Sequence, residues 1–149
     1  MTGELFLNKD KAMKASVYTY QKKTGSILFI AIIIRPDVVF AASRLVRFNQ
    51  NPGDPYHKAA DQVIQYLYAT KSRALRYRDN SRACSFIYTS NALFADNMLD
   101  RKSSQGYIML LFRGPIAWKT NKQNTITTLS TEAELLVLSQ TAKEAIFIS

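Results

Sequence analysis

The hydrophobic period of this chain changes near residue 83, and that change constrains the fold more than any other feature. Before it, apolar residues recur at helical spacing; after it, they come in short extended runs. Three helical patterns are read in the first part. One spans about Tyr20 to Ile33, with Ile27, Leu28, Ala31 and Ile32 on one face. A second begins after Arg35, where Pro36 suits a first helical position and Asp37 suits the positive end of the helix dipole. Val38, Val39, Ala42, Leu45, Val46 and Phe48 then follow near the 3.6 period. Asn51 to Pro55 is a turn cluster. The third helix spans about Tyr56 to Thr70, with Ala59, Ala60, Val63, Ile64 and Leu67 as its stripe. Short turns between amphipathic helices imply a small bundle.

The second part reads strand, strand, strand, helix. Cys84 to Thr89 suits a strand. Gly106 to Phe112 is a continuous apolar run, expected of a strand covered on both faces. Arg113-Gly114-Pro115 reads as a turn. Ile116 to Thr120 and Asn124 to Leu129 form a third extended stretch, with threonines favouring strand and Asn121-Lys122-Gln123 interrupting it. Thr131 and Glu134 have capping-box spacing, so the last helix is expected to open there. The expected class is therefore α+β. The division is a loose lead-in at 1–19, a helical region at 20–70, a basic linker at 71–83 and a mixed unit at 84–149.

The chain has 149 residues, 47% of them apolar and 11% aromatic, enough for a packed core and against wholesale disorder. Its single cysteine, Cys84, forms no internal disulfide and no cysteine-based zinc site, and reads as a small apolar filler. The start is polar, with no secretory pattern. The longest apolar run, Ile27 to Ile34, is too short to span a bilayer. No membrane partner is expected, and the location is read as intracellular, with cytoplasm or nucleus undecided.

The net charge of +9 is uneven. Residues 1–84 hold 14 Lys or Arg against 6 Asp or Glu, and residues 85–149 hold 6 against 5. A basic first part suggests contact with phosphates, against the plainer reading of solvated surface. The candidate contacts are Lys22, Lys23, Arg35, Arg44, Arg47, Lys58, Lys71, Arg73, Arg76 and Arg78, with Arg101 and Lys102 in the second part. His57 reads as packing or surface rather than as a base.

Five segments carry a resemblance to a known family. Tyr20 with Gly25-Ser26-Ile27-Leu28-Phe29-Ile30 is followed by Arg35-Pro36-Asp37-Val38. Asn51-Pro52 leads to Tyr56-His57-Lys58-Ala59-Ala60 and onward to Tyr66-Leu67-Tyr68-Ala69-Thr70. Then come Asp100-Arg101-Lys102-Ser103-Ser104-Gln105-Gly106-Tyr107, Gly114-Pro115-Ile116-Ala117-Trp118 and Leu129-Ser130-Thr131-Glu132-Ala133-Glu134. In this order and spacing, over residues 20 to 149, the chain resembles the Pol polyprotein of copia-type retrotransposons.

The resemblance implies the end of a reverse transcriptase, where helices grip template and primer, joined to the start of a ribonuclease H-like unit. An intact ribonuclease H uses two Mg²⁺ ions about 4 Å apart, held by several carboxylates. The first of these belongs to a Tyr-Ser-Asp-Ala-Asp pattern. Counted back from Asp100-Arg101, that pattern is Thr89-Ser90-Asn91-Ala92-Leu93, so Asn91 stands at the metal-bridging position and Leu93 at the second acid. Glu134 stands where the helix glutamate lies; Glu132, about 200° round the helix, cannot share its face. The third acid falls beyond Ser149, and Asp96 is the nearest stand-in. No polymerase Tyr-x-Asp-Asp occurs. Ile34 replaces a capping threonine, and Asp61-Gln62 replace a basic pair.

The expectation is a truncated Pol-derived remnant, not an enzyme as it stands and without a bound cofactor. Two alternatives stay open. One is a module that binds an RNA–DNA hybrid or other nucleic acid weakly and non-specifically. The other is a divergent hybrid-cleaving ribonuclease completed by another chain. An uncovered sheet should leave an edge open to self-association.

Overall fold

The computed structural model describes residues 11–77, 86–93 and 102–148. The chain is α+β, with four α-helices and a three-stranded antiparallel sheet among the described residues. It divides into two units, Met1–Ala74 and Leu75–Ser149.

In the first unit, α1 spans Lys14–Ile33, a 3-10 turn spans Pro36–Val38, α2 spans Val39–Val46 and α3 spans Asp54–Ala69. Helix α1 thus starts well before its apolar pattern, inside the expected lead-in. Contacts from the far side of the unit secure those first turns. The Ala12 N–H donates to Asn51 Oδ1 at 2.8 Å, and Ser16 Oγ lies 3.0 Å from His57 Nε2. His57 also meets the Tyr20 ring edge-on at 5.1 Å, so its role is packing.

Tyr20, Thr24, Ile27 and Ala31 form the buried face of α1. Ile32, expected on that face, is 57% exposed. The face is rotated because Tyr20 anchors it: its hydroxyl donates to the Leu45 carbonyl at 2.9 Å. Val38, Ala42, Leu45 and Phe48 meet it, with Tyr56, Ala60 and Val63 from α3. Phe48 stacks on Tyr56 at 4.1 Å, an arrangement that adds roughly 0.5–1.5 kcal/mol beyond burial.

In the second unit, β1 spans Ile87–Leu93, β2 Ser104–Leu111, β3 Gly114–Lys122, and α4 Ser130–Ile148. The sheet order is β1-β2-β3, with Asn91 opposite Gly106 and Tyr107 opposite Lys119. Helix α4 packs mainly on β1 and less on β2.

The β2–β3 turn is Phe112-Arg113, both in the left-handed region at φ 51° and 60°, and not Arg113-Gly114-Pro115. Gly114 lies in β3, where a Cβ would come within 2.5 Å of the Tyr77 ring and 2.9 Å of the Arg76 carbonyl. That glycine serves a close approach rather than a bend, and the Tyr77 hydroxyl donates to the Pro115 carbonyl at 2.8 Å. Residues 124–129 are not strand: β3 ends at Lys122, and Gln123 turns the chain by donating through its side-chain amide to the Ala133 carbonyl at 2.8 Å.

The apolar run of β2 is also less covered than expected, since Met109 alone is fully buried in it. Among the described residues of this unit, Met109, Ala133 and Val137 are the buried apolar side chains. Ser103, Gln105, Gln123, Thr127 and Thr141 fill much of the remaining interior. Cys84 lies outside the described residues.

Candidate functional site

Asn91 and Glu134 are both described, and the structure does not bring them to one face. The Gln105 side-chain amide bonds to Gln140 on α4, so Gln105, Tyr107 and Met109 face the helix. Their direct partners on β1 are Ala92, Ser90 and Tyr88. Asn91 alternates with these and points to the opposite side of the sheet, where it is exposed.

Glu134 is exposed on α4, one residue past buried Ala133. The carboxylate that reaches back at the start of α4 is Glu132. It accepts from the Thr128 N–H at 2.9 Å and the Thr128 hydroxyl at 3.3 Å, because the helix opens at Ser130. The expected Thr131–Glu134 capping box is thus replaced by Thr128–Glu132. The third described acid of the unit, Glu144, faces β2, where burial first and Glu144 second push the Tyr107 phenol above its usual range.

These residues do not fit a magnesium pair. A bridging position needs an anionic oxygen, and Asn91 offers a neutral amide on the wrong side of the sheet. Among the described residues no three His, Cys, Asp or Glu stand close enough to hold a metal ion. Asp96 and Arg101 lie outside the described residues.

The basic residues of the first unit fall into distinct settings. Arg35 is 7% exposed and its donors are spent inside. Nε and Nη2 reach the two Asp37 oxygens at 2.9 and 2.8 Å. Nη1 and Nη2 reach the Thr70 carbonyl and hydroxyl at 3.2 and 2.7 Å. Hydrogen bonding from Arg35, then from Tyr66, holds the Asp37 carboxyl below its usual range despite desolvation. Lys23 pairs with Asp61 at 2.6 Å, joining α1 to α3.

Lys22 sits over the Tyr18 ring at 4.5 Å and Lys71 over Tyr68 at 4.9 Å. Arg73 lies over Tyr66 and donates to its hydroxyl at 3.0 Å. Lys58 is exposed, whereas Arg44 and Arg47 are half-buried with partners of their own. Arg76 is exposed, and Lys102 is half-buried and engaged. Arg78 lies outside the described residues. The aromatic partners of these cations were missed in the sequence, although Tyr18–Lys22 has the i, i+4 spacing that signals such a pair.

Residues 11–74 hold 10 Lys or Arg against Asp37, Asp54 and Asp61. Two of those three acids are consumed by Arg35 and Lys23. Over residues 11–74 the formal charge is 10 − 3 = +7. No helix among the described residues is long and apolar enough to cross a membrane.

No protein-family model matches the chain, and no solved structure matches it. Curated relatives do. The chain is 29% identical over 130 residues to the secreted RxLR effector protein 161 of Plasmopara viticola, covering 87% of this chain and 91% of that protein. It is 36% identical over 126 residues to the putative transposon Ty5-1 protein YCL074W of Saccharomyces cerevisiae, covering 84% of this chain and 41% of that protein. It is 30% identical over 129 residues to the retrovirus-related Pol polyprotein from transposon TNT 1-94 of Nicotiana tabacum, covering 87% of this chain and 10% of the polyprotein. Further Pol polyproteins, from transposons RE1 and RE2 of Arabidopsis thaliana, match at 30% and 31% identity. These similarities support a chain derived from a retrotransposon Pol polyprotein of the Ty5 or copia type, and the chain spans 41% of the Ty5-1 protein and 8–10% of the Pol polyproteins that it matches.

Proposed function

We propose that this chain is a Pol remnant that pairs the helical end of a reverse transcriptase with the opening of a ribonuclease H-like unit, and that it has no catalytic activity of its own. The observation that carries this reading is Asn91 on β1. The position that should bear the first metal-bridging carboxylate bears a neutral amide, turned away from the helix that carries Glu134. The order of three antiparallel strands followed by a helix on β1 supports the ribonuclease H-like assignment.

The test is cleavage of a labelled RNA–DNA hybrid by the purified chain with Mg²⁺ and with Mn²⁺. No cleavage is expected, and Asn91→Asp alone should not restore it. Chelator-sensitive cleavage that disappears in Glu134→Gln would mean a working ribonuclease, completed if need be by another chain, and would overturn the proposal.

A second reading is favoured by the composition of residues 11–74, which hold 10 Lys or Arg against 3 Asp. In it the helical unit holds nucleic acid without sequence preference, through lysines and arginines at its surface. Such binding weakens steeply as salt rises, because neutralised phosphates release their counterions.

A further inference from the structure

The first turns of α1 and the chain at 50–51 enclose an open groove of about 480 Å³. Its wall includes Lys11, Lys14, Tyr18, Gln21, Gln50 and Asn51, and no carboxylate among the described residues. The wall is held in place from within. The Gln21 amide donates to the Asn49 carbonyl at 3.0 Å, and Asn51 Oδ1 accepts from the Ala12 N–H at 2.8 Å. Tyr18 is 60% exposed, and the Lys22 ammonium lies 4.5 Å from its ring centre. One exposed aromatic ring flanked by ammonium groups is the combination that holds a single strand: bases stack on rings and phosphates track the cations. The volume lies within the roughly 300–1,000 Å³ of small-ligand sites, which suits a nucleotide or two and not a duplex.

We propose that this groove binds single-stranded nucleic acid, with phosphates at Lys11 and Lys14 and a base stacked on Tyr18. The proposal rests on the nucleic-acid-binding reading above and assigns it a place. Fluorescence anisotropy of the full chain with a labelled oligo(dT) of about 15 nucleotides, and with a duplex of the same length, tests it at low salt.

The single strand should bind, and more tightly than the duplex. Lys11→Gln with Lys14→Gln should weaken it about tenfold and reduce the salt slope by about 1.4, two single-strand phosphates at roughly 0.7 each. Tyr18→Ala should weaken it about tenfold with the slope unchanged, as loss of one stack requires. Lys143→Gln, on exposed α4 surface, should leave it unaltered. Binding that persists undiminished in the groove variants overturns the groove and leaves the broader reading standing. Equal or tighter duplex binding overturns the single-strand assignment. No retention of either oligonucleotide at low salt overturns both.

Discussion

Arg35 holds two ends of the helical unit with one planar group. Its fork bonds Asp37 on one side and the last turn of α3 on the other, through Thr70, 35 residues away in sequence. A lysine keeps the charge but not the fork, so Arg35→Lys should lose most of the network. Asp37 is about one-third exposed, which places the loss at the lower end for charge-assisted bonds, about 1–2 kcal/mol in urea denaturation. A change within error of zero would show that the network contributes nothing. The pH dependence has a fixed sign. The folded state holds the Asp37 carboxyl below its ordinary value, so the unfolded chain binds more protons on acidification. The contribution is complete above about pH 4 and is lost as pH falls through the folded value. Asp37→Asn should flatten that acid limb. The sequence offered Arg35 as a phosphate contact because a basic residue advertises charge. It does not advertise a partner brought near only by folding.

The β2–β3 hairpin turns on residues poorly suited to it. Phe112 and Arg113 both adopt left-handed backbone, the conformation that two-residue hairpins normally give to Asn and Gly. Each costs on the order of 1 kcal/mol. Phe112→Asn with Arg113→Gly should stabilise the second unit by about 1–2 kcal/mol, a rise in melting temperature of several degrees. A melting temperature that stays put or falls would mean the turn is not strained.

Helices and strands differ here in how far they could be read. The α2 and α3 stripes were plain because Val38, Ala42, Leu45 and Ala60, Val63 recur at helical spacing and are buried. The start of α1 was hidden because Lys14 to Thr19 is mostly polar, and its helicity rests on Asn51 and His57 across the unit. The turn was misplaced because Gly114-Pro115 looks like a bend, whereas the glycine makes room for Tyr77. Threonines at 125, 127 and 128 favoured strand, but a propensity is overruled where the chain must cross to α4. Asn91 was found by counting residues. Its face could be known only from the β1–β2 register.

At the scale of the molecule, the second unit has too little apolar burial for the apolar surface it carries. Ile87, Leu93, Leu135, Leu138, Ile146 and Phe147 are all exposed, while its buried apolar side chains number three among the described residues. Strand β1 also lies at the end of the sheet order, and no described strand pairs with its outer side. Its sequence, Ile-Tyr-Thr-Ser-Asn-Ala-Leu, contains no charge and no proline, the two devices that usually keep a sheet edge from pairing with another chain. The full chain should therefore associate with itself as concentration rises, read as a growing mass by sedimentation or light scattering. Thr89→Lys puts a charge at the middle of that edge and should shift association to higher concentration. If the wild-type chain keeps a monomer mass at every concentration, the edge is closed or too short to pair. If Thr89→Lys associates as readily as wild type, the contact runs through another surface, and the exposed leucines of α4 become the next to substitute.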